Sequence, residues 1–239
     1  MNSVREGIIP DEAGWKSRRT DPMPAGMTLN TGIGQGDVLT TPLQLALMTA
    51  RVANGGLAVM PRLVRDGRDV KPLGEWPKLP FSEATIRRTL DGIYGVCNEP
   101  GGTAVGAAGN LDLKFDPATG KVVEAASAPA SYKPVQLGGK TGTAQVRVIT
   151  VGERAAGVKR NEDLPWNMRD HALFVCHGPV HKSRYACAVV VEHGGGGSKV
   201  AAPIARDVMR TVILRDPGNQ RTVTREALSQ GSRAVEQPV

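Results

Sequence analysis

The residues best equipped for chemistry lie in one short run, Gln136-Leu137-Gly138-Gly139-Lys140-Thr141-Gly142-Thr143-Ala144-Gln145-Val146. A lysine, two threonine hydroxyls and bare glycine backbone in sequence make a cradle for a carboxylate. Glycine weakens a strand interior, so its presence here implies that something approaches the main chain closely. Strand pleating places the hydroxyls of Thr141 and Thr143 on one face, with Lys140 and Gly142 alternating between them.

Other motifs fall short of the chemistry they suggest. A phosphate-binding P-loop needs a glycine where Pro134 stands, and a dinucleotide fingerprint starting at Gly32-Ile33-Gly34 meets Asp37 at its third glycine. His193-Gly194-Gly195-Gly196 is similar to a lipase oxyanion loop, but no G-x-S-x-G elbow accompanies it. His177 and His181 flank a Gly-Pro turn beside Cys176 and read as solvated turn residues, with no metal expected. No cofactor is expected either.

The elements that must position the cradle can be read in order. Residues 1–30 read as loop, and Asn30 to Asp37 as a glycine turn that continues it. A helix starts at Thr41, a suitable N-cap, with Pro42 at its first position. Leu43, Leu45, Leu47 and Val52 make it apolar on most faces, which predicts burial. Asn54-Gly55-Gly56 ends it, a strand follows over 57–64, and 66–82 is loop. Ser82 caps a second helix running to about Cys97, with Ile86, Leu90, Ile93 and Val96 on one stripe. Residues 109–135 read as irregular around a turn at Asp116 to Gly120.

The cradle strand is expected to continue to about Val148, and 150–169 to be polar loop. His171–Cys176 and Tyr185–Glu192 form a predicted hairpin, and His193 to Ser198 a flexible connector. A final helix over 201–214 is expected to turn Ile204, Ala205, Val208, Val212 and Ile213 inward. Residues 1–216 are expected to belong to one domain, and 217–239 to form a disordered tail.

Composition narrows the class. The 239 residues carry net charge +7, 40% hydrophobic and 4% aromatic residues, 29 Gly and 17 Pro, which fits a loop-rich globular protein. The positive balance suits an acidic polymer or an anionic surface. Its basic residues are scattered without aromatic interleaving, so no nucleic-acid partner is expected. Cys97, Cys176 and Cys187 are too few and too far apart for a disulfide framework, and the last two read as buried hydrophobes. The sequence shows neither a signal peptide nor an apolar run of spanning length.

With these elements in place, Lys140-Thr141-Gly142-Thr143-Ala144-Gln145-Val146 resembles the third motif of the penicillin-binding proteins. Gly32-Ile33-Gly34-Gln35-Gly36 with Thr41-Pro42-Leu43-Gln44-Leu45-Ala46 resembles the preceding segment of class B members. Asp170 to Val175 and Val189 to Gly197 resemble the elongation-type group, penicillin-binding protein 2. Asn54-Gly55-Gly56 and Glu99-Pro100-Gly101-Gly102-Thr103-Ala104 also fit. The resemblance covers about residues 4–214. Asp37 departs from the pattern, which has a bulkier, less polar residue there.

The resemblance implies an α/β (α+β) fold of the serine β-lactamase and penicillin-binding transpeptidase type, an antiparallel sheet flanked by helices, here lacking its N-terminal portion. It implies cell-wall cross-linking during elongation by a D,D-transpeptidase. In that family a serine attacks the D-Ala-D-Ala carbonyl of a peptidoglycan stem peptide and expels the terminal D-Ala. An amine from a second stem then resolves the acyl-enzyme, and β-lactams acylate the same serine. Lys140 would supply positive potential, Thr141 and Thr143 would bond the substrate carboxylate, and Gly142 would let the acyl donor lie along the strand. The Thr143 N–H would be an oxyanion-hole donor. The complete protein would sit on the periplasmic face of the inner membrane, with other cell-wall synthesis proteins as partners.

None of the nine serines begins S-x-x-K or S-x-N. The chain therefore reads as a C-terminal part of such a transpeptidase, cut or mis-started at Met1 and without nucleophile, relay serine or membrane anchor. It is expected to be inactive alone, and unstable or aggregation-prone through an exposed apolar sheet face and an unpaired strand edge. Two other readings share the cradle: a non-catalytic binding protein on the same scaffold, and a β-lactamase or β-lactam sensor.

Overall fold

The computed structural model describes residues 5–17, 19–62 and 75–217. In chain order its elements are α1 (Glu12–Lys16), α2 (Ala25–Gly32), α3 (Pro42–Ala53), α4 (Glu83–Asn98), α5 (Val105–Ala108), β1 (Leu113–Phe115), β2 (Val122–Glu124) and β3 (Lys133–Pro134). They continue as β4 (Gly138–Ala144), α6 (Val151–Ala156), β5 (His171–Gly178), β6 (Tyr185–Val191) and α7 (Ala202–Leu214). One antiparallel sheet has the order β4-β5-β6, and a smaller one the order β2-β1-β3.

Local chemistry explains the two long early helices. Thr41 accepts the Gln44 N–H while the Gln44 side chain accepts the Thr41 N–H at 2.8 Å, a reciprocal cap around Pro42. Asn54 closes α3, and Gly55 and Gly56 follow with positive φ, a conformation open to glycine at little cost. Ser82 accepts the Thr85 N–H at 3.1 Å and starts α4.

The core lies on one face of the main sheet. Ala172, Phe174 and Cys176 of β5 are buried with Met209, Ile213 and Ala205 of α7 and with Cys97 of α4. His171, Leu173 and Val175, on the other face, are half-buried. Helix α3 packs against β5 and β6 yet contributes nothing to that core cluster, so it lies on this second face. Cys176 is directly opposite Cys187 in the ladder, and burial pushes the Cys97 thiol up to about 12.

Several expectations are corrected. Helices α1 and α2 occupy part of the supposed N-terminal loop, α1 capped by Asp11 and anchored by buried Trp15, whose indole N–H donates to Asp21 O. Helix α3 is not buried: Leu43 and Met48 are each 51% exposed, because only one side of it meets the sheet. The 57–64 strand reduces to a single bridge, Leu57 with Lys78, and 63–74 lie outside the described residues. Residues 109–135 hold the small sheet, with the Asp116–Gly120 turn as its hairpin. Strand β4 ends at Ala144, since the Gln145 and Val146 N–H groups turn to Gln35 and Asp170 side chains. Helix α6 lies within the supposed 150–169 loop, capped by Thr150.

In α7 the buried positions are Ala202, Ala205, Met209 and Ile213, while Ile204, Val208 and Val212 face outward. Of the tail expected over 217–239, residues 218–239 lie outside the described residues. The 193–198 connector is not a loose tether. Gly197 is buried, and a Cβ there would fall 2.5 Å from Gly142 O and closer still to Leu173 O. A widened turn over Gly197–Ala201 then leads into α7.

This packing predicts that Gly197→Ala lowers the stability of the chain by about 1–3 kcal/mol through overpacking. Gly196→Ala, whose nearest neighbour would be the Lys199 Cβ at 4.0 Å, should leave the urea midpoint unchanged. Equal midpoints for the two variants would refute the tight seat of Gly197.

Candidate active site

Strand β4 owes its place to its glycines. A Cβ on Gly139 would meet the Phe174 ring at 2.6 Å and Val175 O at 2.8 Å, and one on Gly138 would meet His177 Nε2 at 2.5 Å. Only a strand without side chains here can lie this close to β5. Its start is tied to α4, where the Asn98 side-chain amide bridges Tyr94 O and Leu137 O, both at 2.8 Å. Gln136 donates to the Tyr94 hydroxyl at 3.0 Å.

Among the described residues, only one edge of β4 is paired with a strand, β5. The Thr143 C=O and the Gln145 N–H bond instead to the Gln35 side chain, at 2.6 and 3.5 Å, and so point away from β5. Backbone groups of alternate residues share a direction in a strand, so the N–H and C=O of Thr141 and the N–H of Thr143 face this same outer edge. Lys140 Nζ reaches round to the Thr141 C=O at 2.7 Å. Lys140 and Thr143 are exposed and Thr141 and Gly142 half-buried. The expected strand, carrying Lys140, Thr141, Gly142 and Thr143 together at an open edge, is therefore present.

The structure adds groups that sequence reasoning left out. Thr103 Oγ1 lies 3.0 Å from Thr141 Oγ1. Gly102 makes this possible, because a Cβ there would overlap the Gly95 and Val96 carbonyls at the end of α4. The Glu99-Pro100-Gly101-Gly102-Thr103 run signalled a helix break but not its use as an arm toward the cradle. Gln35 is the second addition: Gly34 and Gly36, at φ 73° and 72°, flank it in a turn after α2.

His177 is the clearest correction. It is only 4% exposed at the end of β5, its Nδ1 is 2.7 Å from Ser183 Oγ, and its ring covers Gly138. It is a structural prop under the start of β4 and not a solvated turn residue. Burial holds its pKa below the ordinary histidine value. His181 stacks on Phe115, ring centroids 3.5 Å apart.

Beyond the far end of β4, Gln145, Arg147, Lys159, Arg160 and Asp170 help line a cavity of about 240 Å³. Its charges are largely offset internally: Arg147 pairs with Glu153 at 2.6 Å, and Arg160 with Glu162 and Asp163, both at 3.0 Å.

The penicillin-binding protein transpeptidase domain matches residues 5–210. The chain belongs to this family. Among curated members it is 33% identical over 209 residues to the peptidoglycan D,D-transpeptidase MrdA of Acinetobacter baumannii, covering 85% of this chain and 27% of that protein. Against MrdA of Escherichia coli K12 the identity is 30% over 224 residues, 89% of this chain and 30% of that one. The chain thus spans less than a third of the length of these relatives.

Solved structures of family members agree. The complex of penicillin-binding protein PBP2 and MreC from Helicobacter pylori aligns with TM-score 0.64 and 26% identity, over 88% of this chain and 32% of the other. Pseudomonas aeruginosa PBP2 in complex with WCK 5153 aligns with TM-score 0.61 and 29% identity, over 93% and 41%. The fold is therefore that of the penicillin-binding transpeptidases, antiparallel sheet flanked by helices, as the motifs had implied. Among the described residues no helix is long and apolar enough to cross a membrane.

The buried state of His177 has a pH consequence. A folded-state pKa held below 6.5 means the unfolded chain takes up the proton first, so stability present above about pH 6.5 is lost as the pH falls. Urea midpoints between pH 7.5 and 5.5 should fall more in the parent chain than in His177→Gln. Parallel pH dependences would show that His177 is not buried neutral.

Proposed function

We propose that this chain carries the substrate-gripping half of a peptidoglycan D,D-transpeptidase active site. The observation that supports it most is the open edge of β4, with Lys140 and the two threonines around backbone groups that still face outward. An extended peptide can add to such an edge like a further strand. Gly142 leaves room for it. The exposed Lys140 ammonium and the hydroxyls of Thr141 and Thr143 would hold the terminal carboxylate of a stem peptide ending in D-Ala-D-Ala.

The Thr143 N–H, facing the same edge, would stabilise the oxyanion as the carbonyl is attacked, a kind of contact worth about 3–4 kcal/mol of barrier. Acyl transfer itself needs a serine activated by a lysine, which would expel D-Ala and then pass the acyl group to an acceptor amine. No S-x-x-K occurs in the 239 residues. These residues by themselves therefore offer the peptide a grip without the family's nucleophile, and binding without acylation is what they would do alone. By analogy with relatives solved with MreC and in a peptidoglycan synthase complex, the partners of the complete protein would be other cell-wall synthesis proteins. Its place would be the periplasmic face of the inner membrane.

Incubated with a fluorescent penicillin and boiled in detergent, the chain should carry no label; a band that excess unlabelled penicillin abolishes would overturn the acylation-free reading. In titrations with N-acetyl-Lys(N-acetyl)-D-Ala-D-Ala followed by NMR, the Thr141 and Thr143 amides should shift. Lys140→Ala should weaken the complex about tenfold, as expected for loss of one charge-assisted contact to a carboxylate. An unchanged affinity would remove Lys140 from the site.

A further inference from the structure

The geometry points to Gln35 as a positioning residue that stops strand addition on β4 after Thr143 and so sets the register in which a peptide docks. The inference rests on the reading of β4 as a peptide-docking edge.

A strand that pairs with β4 must satisfy outward-facing groups on alternate residues: the N–H and C=O of Thr141, of Thr143 and of Gln145. Gln35 already occupies two of these. Its Nε2 donates to the Thr143 C=O at 2.6 Å and its Oε1 accepts the Gln145 N–H at 3.5 Å. One side-chain amide thus reproduces the donor and acceptor of a neighbouring strand residue. Lys140 Nζ holds the Thr141 C=O at 2.7 Å, so what remains for an incoming chain is the stretch from the Thr141 N–H to the Thr143 N–H, together with that carbonyl if the lysine swings to the peptide's carboxylate. A peptide that slid one pairing step further would have to displace the Gln35 amide.

The placement is built rather than incidental. The Gln35 N–H donates to Asn30 O at 2.8 Å and the Gly34 N–H to Thr31 O at 3.0 Å, so the turn is fastened to the last residues of α2. Both flanking glycines have positive φ, and a Cβ on Gly36 would sit 3.4 Å from the Asn30 Cβ. The turn that presents the amide therefore needs the left-handed backbone that glycine adopts at little cost on either side of it. The strand leaves its ladder at the same place, because the next N–H, of Val146, is taken by Asp170 Oδ1 at 3.3 Å. Gln35 is thus the last strand-like partner on the open edge before β4 ends.

Amide hydrogen exchange on the whole chain tests both parts. Without peptide, Gln35→Ala should exchange the Gln145 amide about tenfold faster than the parent, as loss of one protecting hydrogen bond predicts. The Phe174 amide on β5 should keep its rate, which reports an intact sheet. An unchanged Gln145 rate would overturn the contact. With N-acetyl-Lys(N-acetyl)-D-Ala-D-Ala, the parent should gain protection at Thr143 and none at Gln145, whereas Gln35→Ala should gain it at both. Protection that stops at Thr143 in both proteins would overturn the register role. Should the peptide protect no amide in either, the docking reading fails, while the peptide-free Gln145 rates still decide whether the contact exists.

Discussion

The structure depends on how closely β4 lies against the rest of its sheet. Gly139 sits under the Phe174 ring, Gly138 against His177, and Gly197 wedges onto the backbone of Gly142 and Leu173. Each contact excludes a Cβ. Together they hold the strand from behind with groups that belong to other elements, while on its outer edge the Thr141 N–H and Thr143 N–H face away from β5 and the lysine stays exposed. The usual cost of glycine in a strand, up to about 1 kcal/mol for each residue, is offset by burial of Phe174, Cys176 and Met209 around it.

That arrangement gives the two ends of β4 different jobs. At its start, Asn98, Gln136 and Tyr94 tie the chain to α4, and His177 props it from below. At its end, Gln35 and Asp170 collect the N–H groups that leave the ladder. Between these fastenings, the backbone N–H groups of Thr141 and Thr143 face the outer edge of a strand that cannot shift in register without breaking contacts at both ends. Fastening of this kind fixes where the outward-facing donors point before any peptide arrives, as the proposed docking edge requires.

The two faces of the sheet are unequal. The face with Phe174 and Cys176 is closed by α7 and α4, but the face with Leu173 and Val175 is only half covered, and α3 above it keeps Leu43 and Met48 largely exposed. Lys140, opposite Val175 in the ladder, belongs to this more open side. Surface ion pairs such as Lys78–Glu83 and Lys16–Glu12 contribute little by comparison, because both partners of each are solvated.

Read alone, the sequence determined what depends on neighbouring residues: the Thr41 and Ser82 caps, the Gly55-Gly56 stop, the 171–191 hairpin, and the lysine-threonine strand with its family motif. Those signals are local, so hydrogen bonds and φ preferences within a few residues settle them. It misjudged burial where a helix offers more apolar surface than its neighbours cover, as with α3 and with Ile204, Val208 and Val212 of α7. Only the tertiary structure decided that His177 is a buried prop, that the glycines after His193 are a packed joint, and that Gln35 and Thr103 reach the cradle. Each of those contacts joins residues far apart along the chain or depends on which face a neighbour occupies. Spacing in the sequence carries no record of such distances, because they arise from the folding of whole elements against one another.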